Sequence, residues 1–140
     1  MYLSYDEYVN YGGTLDEVTY DKFAFEAESL VDYYTFNRLK NDTTVSEPVK
    51  RLVFTLIDIA QKKGETLKLG INNSNSPSNE NTYIIRQAND GVDTTYNSMS
   101  ASNLYQMCRQ ETKGAIDKYL AHVVNQAGRK VLYRGLYPGE

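Results

Sequence analysis

The chain has 140 residues, of which 41% are hydrophobic and 24% are charged, a composition typical of one soluble domain that folds without disulfide or metal crosslinks. Its formal net charge is −3 and its pI is about 5.2, which argues against nucleic-acid binding through a basic surface. No apolar stretch approaches the roughly 20 residues of a membrane-spanning helix, and the N-terminus lacks the pattern of a secretory signal. The single Cys108 fits a reducing cytosol.

The first two helices are predicted from their capping residues. Ser4 followed by Glu7 is a capping-box pattern and predicts a short helix that ends near Gly12. Thr19 is the predicted N-cap of a second helix over about residues 20–39. The apolar residues that recur there at helical spacing are Phe23, Ala27, Leu30, Val31 and Tyr34.

The third helix and the last helix carry the clearest apolar stripes. Ser46 and Pro48 predict the start of the third helix, which we expect to end near Gly64. Its stripe consists of Val49, Leu52, Val53, Leu56, Ile57 and Ala60. A serine cap predicts the last long helix over about residues 101–126, and its core face consists of Leu104, Cys108, Ala115, Ile116, Tyr119, Leu120 and Val123.

Between these two helices, residues 64–98 change character. The predicted pieces are short strands at 66–69, 82–86 and 92–96, a polar run at 72–81, and a tight turn at Asn89-Asp90-Gly91. We therefore predict a mainly α fold, a small bundle of about four helices, with a β-hairpin and loop excursion between the last two long helices.

The predicted organisation is a helical domain over residues 1–128 and a C-terminal tail over residues 129–140. The tail is apolar, aromatic and basic where chain ends are usually polar. Two interpretations are open: the tail folds back on its own domain, or it docks on a partner.

Charge and aromatic residues are unevenly used. Residues 1–37 contain eight acidic residues and one basic residue, whereas the C-terminal part is basic. Contact between acidic and basic ends of neighbouring copies is one interpretation, and simple solvation of the charges is the other.

The chain has 13 Tyr, 4 Phe and no Trp, and tyrosine suits half-buried surfaces and interfaces.

The sequence offers little for catalysis. His122 is the single histidine and has no acidic neighbour at helical spacing, and Cys108 lies on an apolar stripe. One histidine and one cysteine do not supply a zinc site of the usual kind, and Gly12-Gly13 lacks the surroundings of a phosphate-binding loop. We therefore expect no enzyme activity, no metal and no cofactor.

Several pieces of the chain together resemble the small head–tail connector (adaptor, or head-completion) proteins of long-tailed bacteriophages and prophages. The matching pieces are residues 2–8 with 11–13, 25–39, 48–50, 89–96, 118–120 and 131–135. The ending, Lys118-Tyr119-Leu120 with Val131-Leu132-Tyr133-Arg134-Gly135, is the most specific of them. The polar segment at 65–81 departs from the family pattern and looks like an insertion.

The resemblance implies a structural virion protein that is made in the host bacterial cytoplasm and located in the neck of the virion. Such connectors form a ring, usually of twelve copies, beneath the portal protein, and a stopper or tail terminator follows below. They extend the channel, so DNA passes without specific binding, and no membrane is involved. By analogy, the portal-contacting residues are Leu132, Tyr133, Arg134, Leu136 and Tyr137, and the loop toward the channel or the tail includes Arg86, Asn89, Asp90 and Gly91.

Two other classes of protein stay open at this stage. One is a small helical partner-binding or regulatory module without catalytic activity, which would bind a partner helix through the stripe at 49–60 or at 104–123. The other is a small enzyme that uses tyrosines and carboxylates, and it predicts a deep pocket with a buried Asp or Glu.

Overall fold

The structure, a computed structural model, describes residues 1–72, 82–85 and 97–137. Within these residues the elements are α1 (Tyr5–Asn10), α2 (Glu17–Tyr34), α3 (Glu47–Asn72), β1 (Thr82–Ile85), β2 (Asn97–Ser100) and α4 (Ala101–Leu120). The predicted mainly α fold, a small helical bundle, is confirmed. The chain divides into two compact units: the first comprises Met1–Asp58 and Thr112–Glu140, and the second comprises Ile59–Glu111.

Helix α1 begins as its capping pattern predicts. The Ser4 hydroxyl accepts a hydrogen bond from the Glu7 backbone N–H at 3.3 Å, and the Glu7 carboxylate accepts one from the Ser4 N–H at 3.0 Å. Two N–H groups that a helix start leaves unpaired are thereby satisfied. Lys50 of α3 also donates to the Glu7 carboxylate, which ties α1 to α3 within the first unit.

Acidification is expected to weaken the fold through Glu7. The hydrogen bond from Lys50, followed by the one from Ser4, holds the pKa of Glu7 below its ordinary value. The stabilisation is therefore present above the unfolded-chain pKa of about 4.3 and is lost as pH falls through the lower folded-state pKa. Urea unfolding across roughly pH 3 to 7 should show less acid-induced loss for Glu7→Gln and for Lys50→Met than for the natural chain. An unchanged acid slope in both variants would contradict the assignment.

Helix α2 begins earlier and ends earlier than predicted. Asp16, rather than Thr19, is the N-cap, and its carboxylate accepts from the Thr19 N–H at 3.1 Å. At the other end Thr35 is the C-cap, and Phe36 and Asn37 follow with φ of 56° and 58°. Two consecutive residues in the left-handed region stop the helix, although no proline or glycine marks the position.

The side of α2 that faces the core also differs in part from the predicted stripe. Ala27 and Val31 are buried as expected, but Leu30 is exposed. The remaining buried positions of the helix are Tyr20 and Ala24. The predicted apolar stripe therefore lies about 45° around the helix, roughly an eighth of a turn, from the true core side.

Helix α3 confirms its predicted core stripe except at Ala60, which is half-buried, and the helix is longer than expected. Val49, Leu52, Val53, Leu56 and Ile57 are all at most 3% exposed. The helix continues through Gly64 to Asn72, so the predicted strand at 66–69 is wrong. A single glycine costs a helix only about 1 kcal/mol, and good helix formers on both sides outweigh it.

The excursion between α3 and α4 contains an antiparallel strand pair. β1 and β2 pair with Thr82 opposite Ser100 and Ile85 opposite Asn97. The strand that pairs with β1 lies at 97–100, and the predicted strand at 92–96 lies outside the described residues. The predicted turn at Asn89-Asp90-Gly91 lies outside the described residues. Helix α4 ends at Leu120, six residues before the predicted end.

The core of the first unit combines aliphatic side chains with a tyrosine cluster. Its least exposed members, at 0 or 1%, are Leu3, Tyr20, Val31, Val49, Leu52, Val53, Ile57, Ile116, Leu120 and Val131. The rings of Tyr8 and Tyr20 lie 4.9 Å apart, and that of Phe54 lies 5.6 Å from Tyr8. The Tyr20 hydroxyl donates to the Leu3 carbonyl, so tyrosine serves here as a core residue whose polar end is paired. Its burial raises the pKa of Tyr20 to about 12.

No helix in the described ranges has both the length and the apolar character needed to cross a membrane.

In the second unit, Leu104 and Cys108 of α4 are buried, as the sequence predicts. Burial raises the pKa of the Cys108 thiol, which keeps it protonated and unreactive.

Candidate docking surface

After α4 the chain reverses direction in a tight loop. The Asn125 side-chain oxygen and the Gly128 turn, with φ of 72°, shape this loop. Val124 and Lys130 then form an antiparallel bridge, and the Val131 N–H donates to the Val123 carbonyl at 3.2 Å. The residues that follow therefore run back along the first unit. We call residues 129–137 the C-terminal segment.

Arg38 holds the backbone of the C-terminal segment. Its guanidinium donates to the Tyr133 carbonyl and, at 2.8 Å, to the Gly135 carbonyl, and it lies 3.5 Å from the Val131 carbonyl oxygen. One planar fork therefore contacts the carbonyls of three alternate residues. Arg38 is only 8% exposed; it is a buried cation whose two terminal guanidinium nitrogens donate to backbone oxygens.

Aromatic rings surround the same guanidinium. Its carbon lies 5.2 Å from the ring centre of Phe36 and 5.0 Å from that of Tyr137, within the range of a cation–π contact. The Tyr137 hydroxyl accepts from the Lys130 N–H at 2.9 Å, and its ring lies 5.0 Å from that of Tyr133. The segment is thus a folded part of the first unit at the level of its backbone.

The five residues predicted to contact the portal all lie on this segment, but their exposure differs. Tyr133 is 51% exposed, Leu136 is 84% exposed, and Arg134 is also exposed. Leu132 and Tyr137 are half-buried. Val131, which the sequence assigned to the tail, is fully buried in the core. The backbone is therefore anchored inward while an aromatic, a cationic and an aliphatic side chain point outward.

A cleft of about 580 Å³ lies beside the segment in the first unit. The end of α2 contributes Tyr33, Tyr34 and nearby Phe36, and the segment contributes Leu132 and Arg134. α2 also contributes Asp32, and α4 adds Lys113 and Asp117. Its walls combine aromatic rings with both signs of charge, which suits a peptide or a protein side chain.

Sequence reasoning missed Arg38, because it was placed inside the predicted second helix. No sequence signal marks a cation that binds carbonyls more than 90 positions away. The predicted channel or tail-side residues, Arg86, Asn89, Asp90 and Gly91, lie outside the described residues.

The described residues show little that resembles a catalytic site. Their buried polar or charged side chains are Thr35 and Arg38, so none of the described Asp or Glu residues has the burial that the enzyme alternative predicts. In the same ranges no cluster of three or more His, Cys, Asp or Glu is arranged to hold a metal ion. His122 is exposed.

Comparison with known proteins was made in three ways. No family model, no curated protein and no solved structure matches the chain. The functional interpretation therefore depends on the residues of this chain and on their geometry.

Proposed function

We propose that the chain is a head–tail connector that assembles as a ring beneath a phage portal and joins the head to the neck or tail. The C-terminal segment would be its portal-binding element. The observation that supports this best is the arrangement of that segment: Arg38 holds its backbone, while Tyr133, Arg134 and Leu136 face outward.

Anchoring favours docking for an energetic reason. A loose tail loses conformational freedom when it binds, whereas a segment already held in place loses much less. Tyrosine and arginine are the residue types over-represented among the strongest contributors to interfaces. The adjacent cleft, with Tyr34 and Phe36 in its wall, offers a place for a side chain from the partner.

The charge of the N-terminal part is also compatible with a DNA channel. Asp6 of α1 and Asp16, the N-cap of α2, are exposed. A channel that passes DNA should make few lasting contacts with phosphates, because each contact retains the DNA. An acidic lining meets this requirement, and it agrees with the expectation that DNA passes without specific binding.

The two apolar stripes assigned to the partner-helix alternative lie mostly in the core. In the stripe at 49–60, the five most apolar positions lie in the core. In the stripe at 104–123, Leu104, Ile116 and Leu120 are buried as well. A regulatory module would have to use another surface.

The test uses connector-free, DNA-filled heads that carry the portal protein of the same genome. The natural chain should sediment with the heads and add a ring of density under the portal. Tyr133→Ser and Leu136→Ser are each expected to weaken binding by about 30-fold, because truncating an interface anchor costs about 2 kcal/mol.

Tyr105→Ser is the matched control, because Tyr105 is 50% exposed in the second unit and should leave binding unchanged. Absence of binding by the natural chain would refute the connector function. Equal binding by the natural chain and both segment variants would refute the docking role of the segment. Deletion of all residues after Gly128 is a poorer test, because it also removes Val131 from the core.

A further inference from the structure

Helix α2 has a second apolar face that no described residue covers. Its buried side consists of Tyr20, Ala24, Ala27 and Val31. On the opposite side Val18 is 80% exposed, Phe25 is 74% exposed and Tyr33 is 75% exposed. Val18 and Phe25 are seven residues apart, so they lie about 20° from each other around the helix, and Tyr33 lies at the end of the same side. We call Val18, Phe25 and Tyr33 the outer α2 face.

Acidic side chains border this face. Asp21 and Glu26 are exposed on either side of Phe25, and Glu17 is exposed next to Val18. Lys22 is the one exposed cation of the helix. The other two carboxylates of α2, Glu28 and Asp32, accept hydrogen bonds from Tyr2. A partner of this face must therefore offer apolar contact together with positive charge.

A second copy of the chain offers both. Residues 113–130 carry the exposed cations Lys113, Lys118 and Lys130 against a single carboxylate, Asp117. Val124, 52% exposed, adds an apolar contact in the same stretch. Two α2 faces are a poorer match for each other, because Asp21 and Glu26 would then meet like charges.

We propose that the outer α2 face of one copy packs on the stretch 113–130 of the next copy, with its exposed cations. The two surfaces are different, so the contact is heterologous, and each copy can bind one neighbour through each surface. A repeated contact of this kind closes into a ring or continues as a filament. The proposal rests on the ring in the proposed function and names the surfaces that would build it.

Most side chains of this contact lie apart from the portal contact, although Tyr33, Lys113 and Asp117 also line the cleft beside the C-terminal segment. Phe25, Asp21 and Glu26 do not line the cleft, and Tyr133 and Leu136 lie beyond residue 130. Variants at Phe25 therefore test the contact between copies without altering the residues assigned to the portal.

Photo-crosslinking of the free, full-length protein tests the proposal without any heads. A photoreactive benzoylphenylalanine is placed at position 25, and labelled and unlabelled copies are mixed at about 1 mM, where a contact with a Kd of that size is half-populated. Mass spectrometry is expected to find adducts between copies that map to residues 113–130. Their yield should fall as ionic strength rises from about 0.1 to 1 M, because the Debye length shortens from roughly 10 to 3 Å.

Charge reversal provides the second measurement. Asp21→Lys with Glu26→Lys should reduce self-association in sedimentation by about tenfold or more, and so should Lys113→Glu with Lys118→Glu. Mixing the two double variants should restore association, because each then offers the charge that the other lacks. Tyr105→Ser again serves as the control and should associate like the natural chain.

Adducts confined to α2 or to residues 133–137 would overturn the proposal, as would their absence at every concentration. Failure of the mixed double variants to associate would overturn it too. Portal binding is not measured in these experiments. If the protein bound heads but gave no such adducts, the proposed function would stand and this contact would be refuted. If it gave the adducts but did not bind heads, the contact would stand and the connector function would be refuted.

Discussion

Replacement of Arg38 by methionine is expected to release the C-terminal segment and to lower the free energy of unfolding by about 3 kcal/mol, since a hydrogen bond to a charged group contributes about 1.5–3 kcal/mol. Methionine keeps much of the apolar stem but removes the fork that donates to the Tyr133 and Gly135 carbonyls. Amide exchange of Val131 and Tyr133 should accelerate by about 100-fold, which is the factor that about 3 kcal/mol represents. Hydrogen exchange with mass spectrometry and urea unfolding provide the two readouts.

Arg134→Met is the matched control for this change. Arg134 lies on the same segment but is exposed, so its loss should change stability by less than about 0.5 kcal/mol and leave amide exchange as it was. The two variants also distinguish the anchoring of the C-terminal segment from its direct contact with the portal. Arg134→Met should weaken portal binding while the segment stays protected, whereas Arg38→Met should weaken it by releasing the segment. Unaltered exchange at residues 131–137 in Arg38→Met would disprove the anchoring role.

Gly13→Ala is expected to destabilise the fold by about 1–3 kcal/mol, the usual cost of overpacking. A Cβ at this position would lie 2.1 Å from the ring carbon Cε1 of Tyr8. The ring has little room to move, because Tyr8 is 3% exposed and its hydroxyl accepts from the Thr14 and Leu15 N–H groups. Thermal and urea unfolding would measure the loss.

The same substitution at Gly114 should change the stability of the protein in the opposite direction. Gly114 lies inside α4, and a Cβ there meets no atom within 4 Å. Alanine at a helical position is favoured over glycine by about 0.5–1 kcal/mol, so Gly114→Ala is expected to stabilise the protein by that amount. If both variants lost stability equally, the steric explanation for Gly13 would be wrong.

The anchored segment bears on the two interpretations of the C-terminal tail that the sequence left open. A tail that folds back and a tail that docks were alternatives for residues 129–140. In the structure the backbone folds back on Arg38, and the side chains of Tyr133, Arg134 and Leu136 stay outside. The two interpretations are therefore compatible, because they concern different atoms of the same residues.

Local signals were enough for the helices and for most of the core. The Ser4–Glu7 capping box and the stripe from Val49 to Ile57 were predicted correctly, because capping bonds and helical periodicity involve residues at most a few positions apart. The ends of elements were predicted less well. Gly64 did not stop α3, and Phe36 with Asn37 stopped α2, because the small local preferences at such positions are overridden by packing.

The amino-acid sequence by itself determined the mainly helical class, the start of α1 and the buried face of α3. The tertiary structure decided the exact core side of α2, because only packing distinguishes the buried Tyr20 and Ala24 from the exposed Leu30. It also decided where the C-terminal segment lies. Arg38 meets Gly135 across 97 positions, and a contact between a side chain and distant backbone carbonyls depends on the fold rather than on residue spacing.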